Sequence, residues 1–234
     1  MKTRARKSTV GGVWRELRAL GDPRVRAQMA HFGVHTENAF GISAPQLHRL
    51  AKEIGQNHAL AQQLQATGNH EARLLAALID DPAKVSEAQM ERWARDFDAW
   101  DVVDGTCCYL FVFAAPAWKK AGEWSRRKEE FVKRAGFAMM AYLAYKDKAA
   151  PDSRFLRLLS IIRREARDQR NFVRKAVNWA LRNIGKRNVR LNRAAIRAAE
   201  QIRREDSRTA RWVAADALRE LRSSGVQKRL RRKT

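Results

Sequence analysis

The second half of this chain repeats itself, and that repetition constrains the fold more than any other feature. Phe131-Val132-Lys133-Arg134-Ala135 is echoed by Phe172-Val173-Arg174-Lys175-Ala176, and Trp212-Val213-Ala214-Ala215 continues the series at nearly equal spacing. A helical period of roughly 40 residues belongs to a solenoid, in which each helix pair buries its apolar face only by stacking on its neighbours. Ala, Leu, Arg, Glu and Lys dominate the sequence, and strand-like alternation is not sustained anywhere. Breakers such as Gly21-Asp22-Pro23, Asp80-Asp81-Pro82, Pro116, Pro151 and Gly185 cut it into helix-length windows. About a dozen helices with short connections are predicted, with Ser43, Asp81, Asp98, Asp152 and Ser207 as N-caps. No low-complexity linker interrupts them, so a single domain is expected over residues 11–222. It is flanked by a basic disordered N-terminus, 1–10, and a basic disordered tail, 223–234.

The net charge of +23 is unevenly placed. Residues 1–118 hold 14 Lys and Arg against 13 Asp and Glu, a balance of +1; residues 119–234 hold 34 against 12, a balance of +22. A field of that sign on one half binds phosphate backbones through counterion release. Nucleic acid is therefore the expected partner. An anionic membrane surface is disfavoured, because no segment combines a basic face with a strongly apolar one. Candidate phosphate contacts are Lys133, Arg134, Arg174, Lys175 and Arg182, with Lys119, Lys120, Arg126, Arg127, Arg170 and Lys186 as further cations. Solvated surface charge is the competing reading for each of them.

Other classes are excluded by what the sequence lacks. No apolar run approaches the ~20 residues that span a bilayer, and no apolar segment follows the basic first residues. The two cysteines, Cys107 and Cys108, are adjacent and cannot form a disulfide framework, which points to a reduced cytoplasmic setting; nucleoid association is expected from the DNA binding. The five His follow no ligand spacing, so no metal is expected.

Against this background Asp98-Ala99-Trp100-Asp101-Val102-Val103-Asp104 stands out. With Asp98 as N-cap and Asp101 near a capping-box position, Trp100 falls in the first turn and Asp104 one turn later on the same side. A helix N-terminus and a basic surface both favour an ionised carboxylate, so Asp104 is predicted to be an anion at neutral pH. An indole beside an anion suits a cationic group, as on an alkylated base. The bland alternative for Asp104 is a mid-helix ion pair. For Trp100 and Trp179 it is core packing, as assumed for Trp14, Trp93, Trp118, Trp124 and Trp212. Glu71 and Arg73 are expected to pair within the fold without a catalytic role.

Five stretches together resemble the AlkD-like DNA alkylation repair glycosylases. They are Phe40-Gly41-Ile42-Ser43-Ala44-Pro45-Gln46-Leu47, His70-Glu71-Ala72-Arg73, Trp100-Asp101-Val102-Val103-Asp104, Lys133-Arg134-Ala135-Gly136, and Lys175-Ala176-Val177-Asn178-Trp179-Ala180-Leu181-Arg182. The resemblance covers about residues 14–222. It implies an all-α superhelical solenoid of HEAT-like repeats with a basic concave groove, and excision of N3- and N7-alkylated purines from duplex DNA without a deep base-flipping pocket. It matches the catalytic acid to Asp104, the two indole walls to Trp100 and Trp179, and the groove arginine to Arg134. It matches an N-terminal cleft aromatic, usually Tyr, to Phe32, a departure that removes a hydroxyl.

The chemistry is coherent on its own terms. Alkylation at N3 or N7 makes a purine cationic and a good leaving group, and its departure builds positive charge on the deoxyribose. A fixed carboxylate near C1′ stabilises that charge and orients the attacking water. Indole faces attract the cation by roughly 0.5–2 kcal/mol each. No cofactor or metal is needed; the partner is duplex DNA containing alkylated bases, with no obligate protein partner and a monomeric state expected. The alternatives are a non-catalytic HEAT-repeat protein binding damaged or branched DNA, and a protein-interaction scaffold.

Overall fold

The computed structural model describes residues 9–232. Among them the chain forms fourteen α-helices and two short 3₁₀ turns, with no strand. None of these helices is long and apolar enough to cross a membrane. The chain divides into two compact units, Met1–Ala115 and Pro116–Thr234, where the sequence suggested one domain. Residues 1–8 of the expected disordered N-terminus lie outside the described residues. Thr9 and Val10 do not remain irregular: the Thr9 hydroxyl accepts the Gly12 N–H at 3.2 Å and caps the first helix.

The first unit holds α1 (Val10–Leu20), α2 (Pro23–His31), α3 (Ala44–Ile54), α4 (His58–Gln65), α5 (His70–Ile79), α6 (Glu87–Arg95) and α7 (Trp100–Tyr109). The pivot is α5, which packs against α1, α3, α4 and α7. Its Leu75, Ala76, Ala77 and Ile79 are buried, as an apolar stripe requires. Its first turn is buried too, although it reads His70, Glu71 and Arg73. Buried charge must be paired or hydrogen-bonded, and these three are. Asn57, Asn69 and Ser86 cap α4, α5 and α6 through their side chains. Ser43 occupies the N-cap of α3, its backbone N–H donating to Gln46 Oε1 at 3.1 Å.

The second unit holds α8 (Ala117–Trp124), α9 (Glu130–Lys146), α10 (Asp152–Glu165), α11 (Asn171–Gly185), α12 (Val189–Arg203), α13 (Arg208–Leu221) and α14 (Ser224–Arg231). The repeat read from the sequence places its first two copies at the starts of α9 and α11 and its third in the second turn of α13. Helix α9 packs on α11, and α11 on α13. Bonds about one repeat apart recur through the unit. Asn183 Nδ2 donates to the Ala141 carbonyl at 3.3 Å, Arg187 Nη1 to that of Ala144 at 3.1 Å, and Arg163 Nη1 to Gln201 Oε1 at 2.8 Å. Gly136 is required where α8 ends against α9, since a Cβ there would collide with the Trp124–Ser125 backbone. Ser207 caps α13, while Asp152 is the first residue of α10 rather than its cap, that place going to Pro151.

Over residues 223–232 the expected disordered tail is corrected by α14; residues 233–234 lie outside the described residues. Val226 and Leu230, one helical turn apart, fall on one helix face and are 4% and 2% exposed. Ser223 caps the helix and Gln227 Nε2 donates to the Leu221 carbonyl at 2.6 Å. Average polarity hid a two-residue apolar stripe.

Candidate functional site

In the first unit, Trp100 opens α7 and Asp104 stands one turn along, both partly exposed. The Trp100 indole N–H donates to the backbone carbonyl of Phe32 at 3.1 Å. That bond uses the ring's sole donor and fixes its plane. Phe32 sits at the C-terminal end of α2, is 59% exposed, and meets His31 edge-on at 5.5 Å. Three of the residues singled out by sequence thus occupy one neighbourhood of this unit: two aromatics and a carboxylate.

The start of α7 differs from expectation. Its N-cap is Ala99, without a side-chain capping bond, and Asp98 lies one residue earlier. The reason is Arg73, whose guanidinium binds the Asp98 carboxylate and donates Nη1 to the Asp96 carbonyl at 2.8 Å. Asp101, in the first turn, accepts the Val102 N–H at 2.9 Å and lies 3.0 Å from His70 Nε2 through its other oxygen. Glu71 does not pair with Arg73. It is fully buried and accepts the backbone N–H groups of Phe40, Gly41 and Ile42 at 2.9, 2.7 and 3.2 Å. That turn needs glycine at Gly41, where φ is +81° and a Cβ would strike the Asp22 carbonyl.

One turn of α5 therefore anchors both the 40–42 turn and the segment that launches Trp100 and Asp104. The sequence contained a signal for these positioning residues: three ionisable side chains opening a helix that is otherwise apolar. Their targets lie beyond an intervening helix in the chain, at a separation no local pattern encodes.

The second unit holds the remaining expected residues. Trp179 is half-buried on α11 and meets Tyr142 edge-on at 4.8 Å, leaving part of the indole accessible. Arg134 is 6% exposed and donates Nη1 to the Phe172 carbonyl at 2.8 Å. It ties α9 to α11. Lys133, expected at a phosphate, lies instead between Glu165 at 2.6 Å and Asp168 at 2.9 Å, 9% exposed. A cation held by two carboxylates has no charge left for DNA. Burial would by itself raise the Asp168 carboxyl, but hydrogen bonds from Arg170 and Lys133 outweigh it and hold the group at about 2.

Arg182 is likewise engaged, binding Glu220 with Asp216 at 3.8 Å, and Lys186 lies 2.7 Å from Glu220. Lys120 is 4% exposed and bonded to Glu123 at 2.7 Å. Lys175 is exposed on α11. Arg174 is half-buried, with its guanidinium 5.2 Å from the centre of the Trp212 ring. Trp212, assumed to be core, is 41% exposed; Trp93 and Trp124 are core as assumed, at 2% and 0%. Cys107 is buried and Cys108 half-buried. No cluster of three potential metal ligands occurs among the described residues.

Stacked helix pairs, tied to one another at a regular repeat, define a HEAT-like repeat protein, and one solved structure shares that architecture. It is described as a new family of proteins related to the HEAT-like repeat DNA glycosylases with affinity for branched DNA structures. It superposes with a TM-score of 0.72 at 25% identity, over 88% of this chain and 93% of that one. The chain itself belongs to the DNA alkylation repair enzyme family, whose model matches residues 13–221. No curated protein matches it.

Proposed function

We propose that this protein is a monofunctional DNA glycosylase that releases cationic N3- and N7-alkylated purines from duplex DNA. Asp104 is the electrostatic catalyst, and it acts without cofactor or metal. The observation that carries this reading is the Trp100–Asp104 pair: an indole with a fixed plane and a partly exposed carboxylate one helical turn apart, launched by the anchored first turn of α7. As the alkylated base departs, positive charge grows on the deoxyribose. A carboxylate held in place lowers the energy of that state and orients water for attack at C1′. Trp100, on the same helix as Asp104, offers a π-face to the cationic lesion. Selectivity then follows from the lesion's charge rather than from base edges, and no deep pocket is required. Phe32 adds an exposed aromatic surface beside Trp100. Lys175 and Arg174 are the proposed phosphate contacts, and the protein acts as a monomer.

The test is release of N7-methylguanine from methylated duplex DNA. Asp104→Asn should lower the rate by at least about two orders of magnitude while duplex affinity stays within about twofold. Wild-type rates in that variant would refute the assignment. A second reading, binding of branched DNA without bond cleavage, is favoured by the affinity described for the structural relative. It predicts that the wild-type protein binds methylated DNA and leaves no alkali-labile abasic sites.

A further inference from the structure

The sequence repeat sets an aromatic at the start of α9, at the start of α11 and in the second turn of α13, and the third behaves differently. Phe131 and Phe172 stack on each other at 5.4 Å. Trp212 has no ring partner among the described residues and is 41% exposed. The Arg174 guanidinium lies over the ring, 5.2 Å from its centre. Arg174 hydrogen-bonds the neutral Asn171 side chain at 3.2 Å, and its buried Nε has no partner. Its charge is thus not cancelled there, unlike those of Lys133 or Arg182.

Around this ring lies a depression of about 830 Å³, lined by Arg167, Gln169, Arg174, Asp206, Arg208 and Trp212 among others. That volume is in the range of small-molecule sites. It sits over the first turn of α13, a 14-residue helix capped by Ser207, whose N-terminus adds partial positive charge. Arg208, the first residue of that helix, is exposed. Arg167 is bonded to Glu205 at 2.6 Å and Asp206 lies 3.3 Å from Arg211, so Arg174 and Arg208 are the cations left for a ligand.

We propose that this depression is a docking site for an unpaired nucleotide of DNA, its base stacked on Trp212 and its phosphate held by Arg208. An exposed indole backed by a guanidinium offers a π-surface of the kind that binds bases without reading their edges. Bases inside a duplex hide their faces in the stack, whereas a splayed or single-stranded nucleotide presents them. The surrounding unit carries the +22 charge balance, which selects a polyanion as the occupant. The site shares no residue with the Trp100–Asp104 pair and does not depend on base excision.

The experiment compares binding of the full-length protein to a fluorescently labelled forked duplex with single-stranded arms and to a blunt duplex of equal length. Trp212→Ala should weaken fork binding roughly tenfold or more and leave blunt-duplex binding within about twofold. Trp212→Phe should retain most of the fork affinity, and a thermal melt should show that both variants are folded. Arg208→Ala should lower the salt slope of fork binding by about 0.7. Base release from methylated blunt duplex by Trp212→Ala should match wild type, so that failure here and failure of the glycosylase reading are told apart. Equal loss on both DNAs, or loss on neither, overturns the proposal.

Discussion

The two units spend their charges in opposite ways. The first has 14 Lys and Arg against 13 Asp and Glu, and several of these work inside the fold. Glu71 holds a three-amide turn, Arg73 and His70 hold the start of α7, and buried Asp80 collects His58 at 2.6 Å and Gln89 at 2.6 Å. The second has 34 against 12, and most of its carboxylates are paired with cations of its own. What remains is a large uncancelled positive excess. Internal charge fixes geometry, while surplus charge supplies attraction. The comparison therefore suggests positioning in one unit and grip in the other, and that division can be broken by experiment.

The largest expected effect is the Asp104→Asn loss of base release. It sharpens the contrast only if binding survives, because a simultaneous fall in affinity would show that the first unit also grips. Next comes stability. Glu71→Ala orphans three amides, two of them buried and each of those costing about 1–3 kcal/mol, so a loss of at least about 2 kcal/mol is expected in a denaturant titration. Lys133→Ala should cost a similar amount, about 3 kcal/mol, because Glu165 and Asp168 lose their shared cation. The salt slope of its DNA binding should not change.

Lys175→Ala should do the reverse. Exposed and unneeded by the fold, it should leave the melting temperature unchanged and reduce the duplex salt slope by about 0.9. Equal behaviour of the two lysine variants would erase the distinction between internal and surplus charge. The smallest effect is in acid. Asp168 is held at about 2, below its ordinary 3.8. A depressed carboxyl contributes stability that is complete above its unfolded value and is lost as pH falls through its folded one. The second unit should therefore lose stability between about pH 4 and pH 2, and Asp168→Asn should flatten that part of a pH–stability profile.

Much of the architecture was legible beforehand, and the failures have specific causes. The even spacing of Phe131, Phe172 and Trp212 located α9, α11 and α13, because stacking repeats a register in the sequence itself. Trp100 and Asp104 were legible as a pair because their spacing makes one helical turn. The cations were less so. Lys133 and Arg134 occupy the same two columns of the repeat as Arg174 and Lys175, yet the first two are buried and the last is exposed. Glu165 and Asp168, at and just past the far end of the next helix, decide that difference for Lys133. Nothing local distinguishes Trp212 from the core residues Trp93 and Trp124, and its exposure depends on what its helix packs against. The tail looked too polar to fold, and Val226 with Leu230 sufficed to dock one short helix.

What the sequence alone determined was periodicity: helices, their repeat length, the sign of the field on each half, and which residues share a helix face. These follow from the pitch of the α-helix and from counting charge, both local quantities. Only the tertiary structure decided which charges are spent. Whether a lysine meets a phosphate or a buried carboxylate depends on the one arrangement of distant helices that leaves the fewest polar groups unpaired.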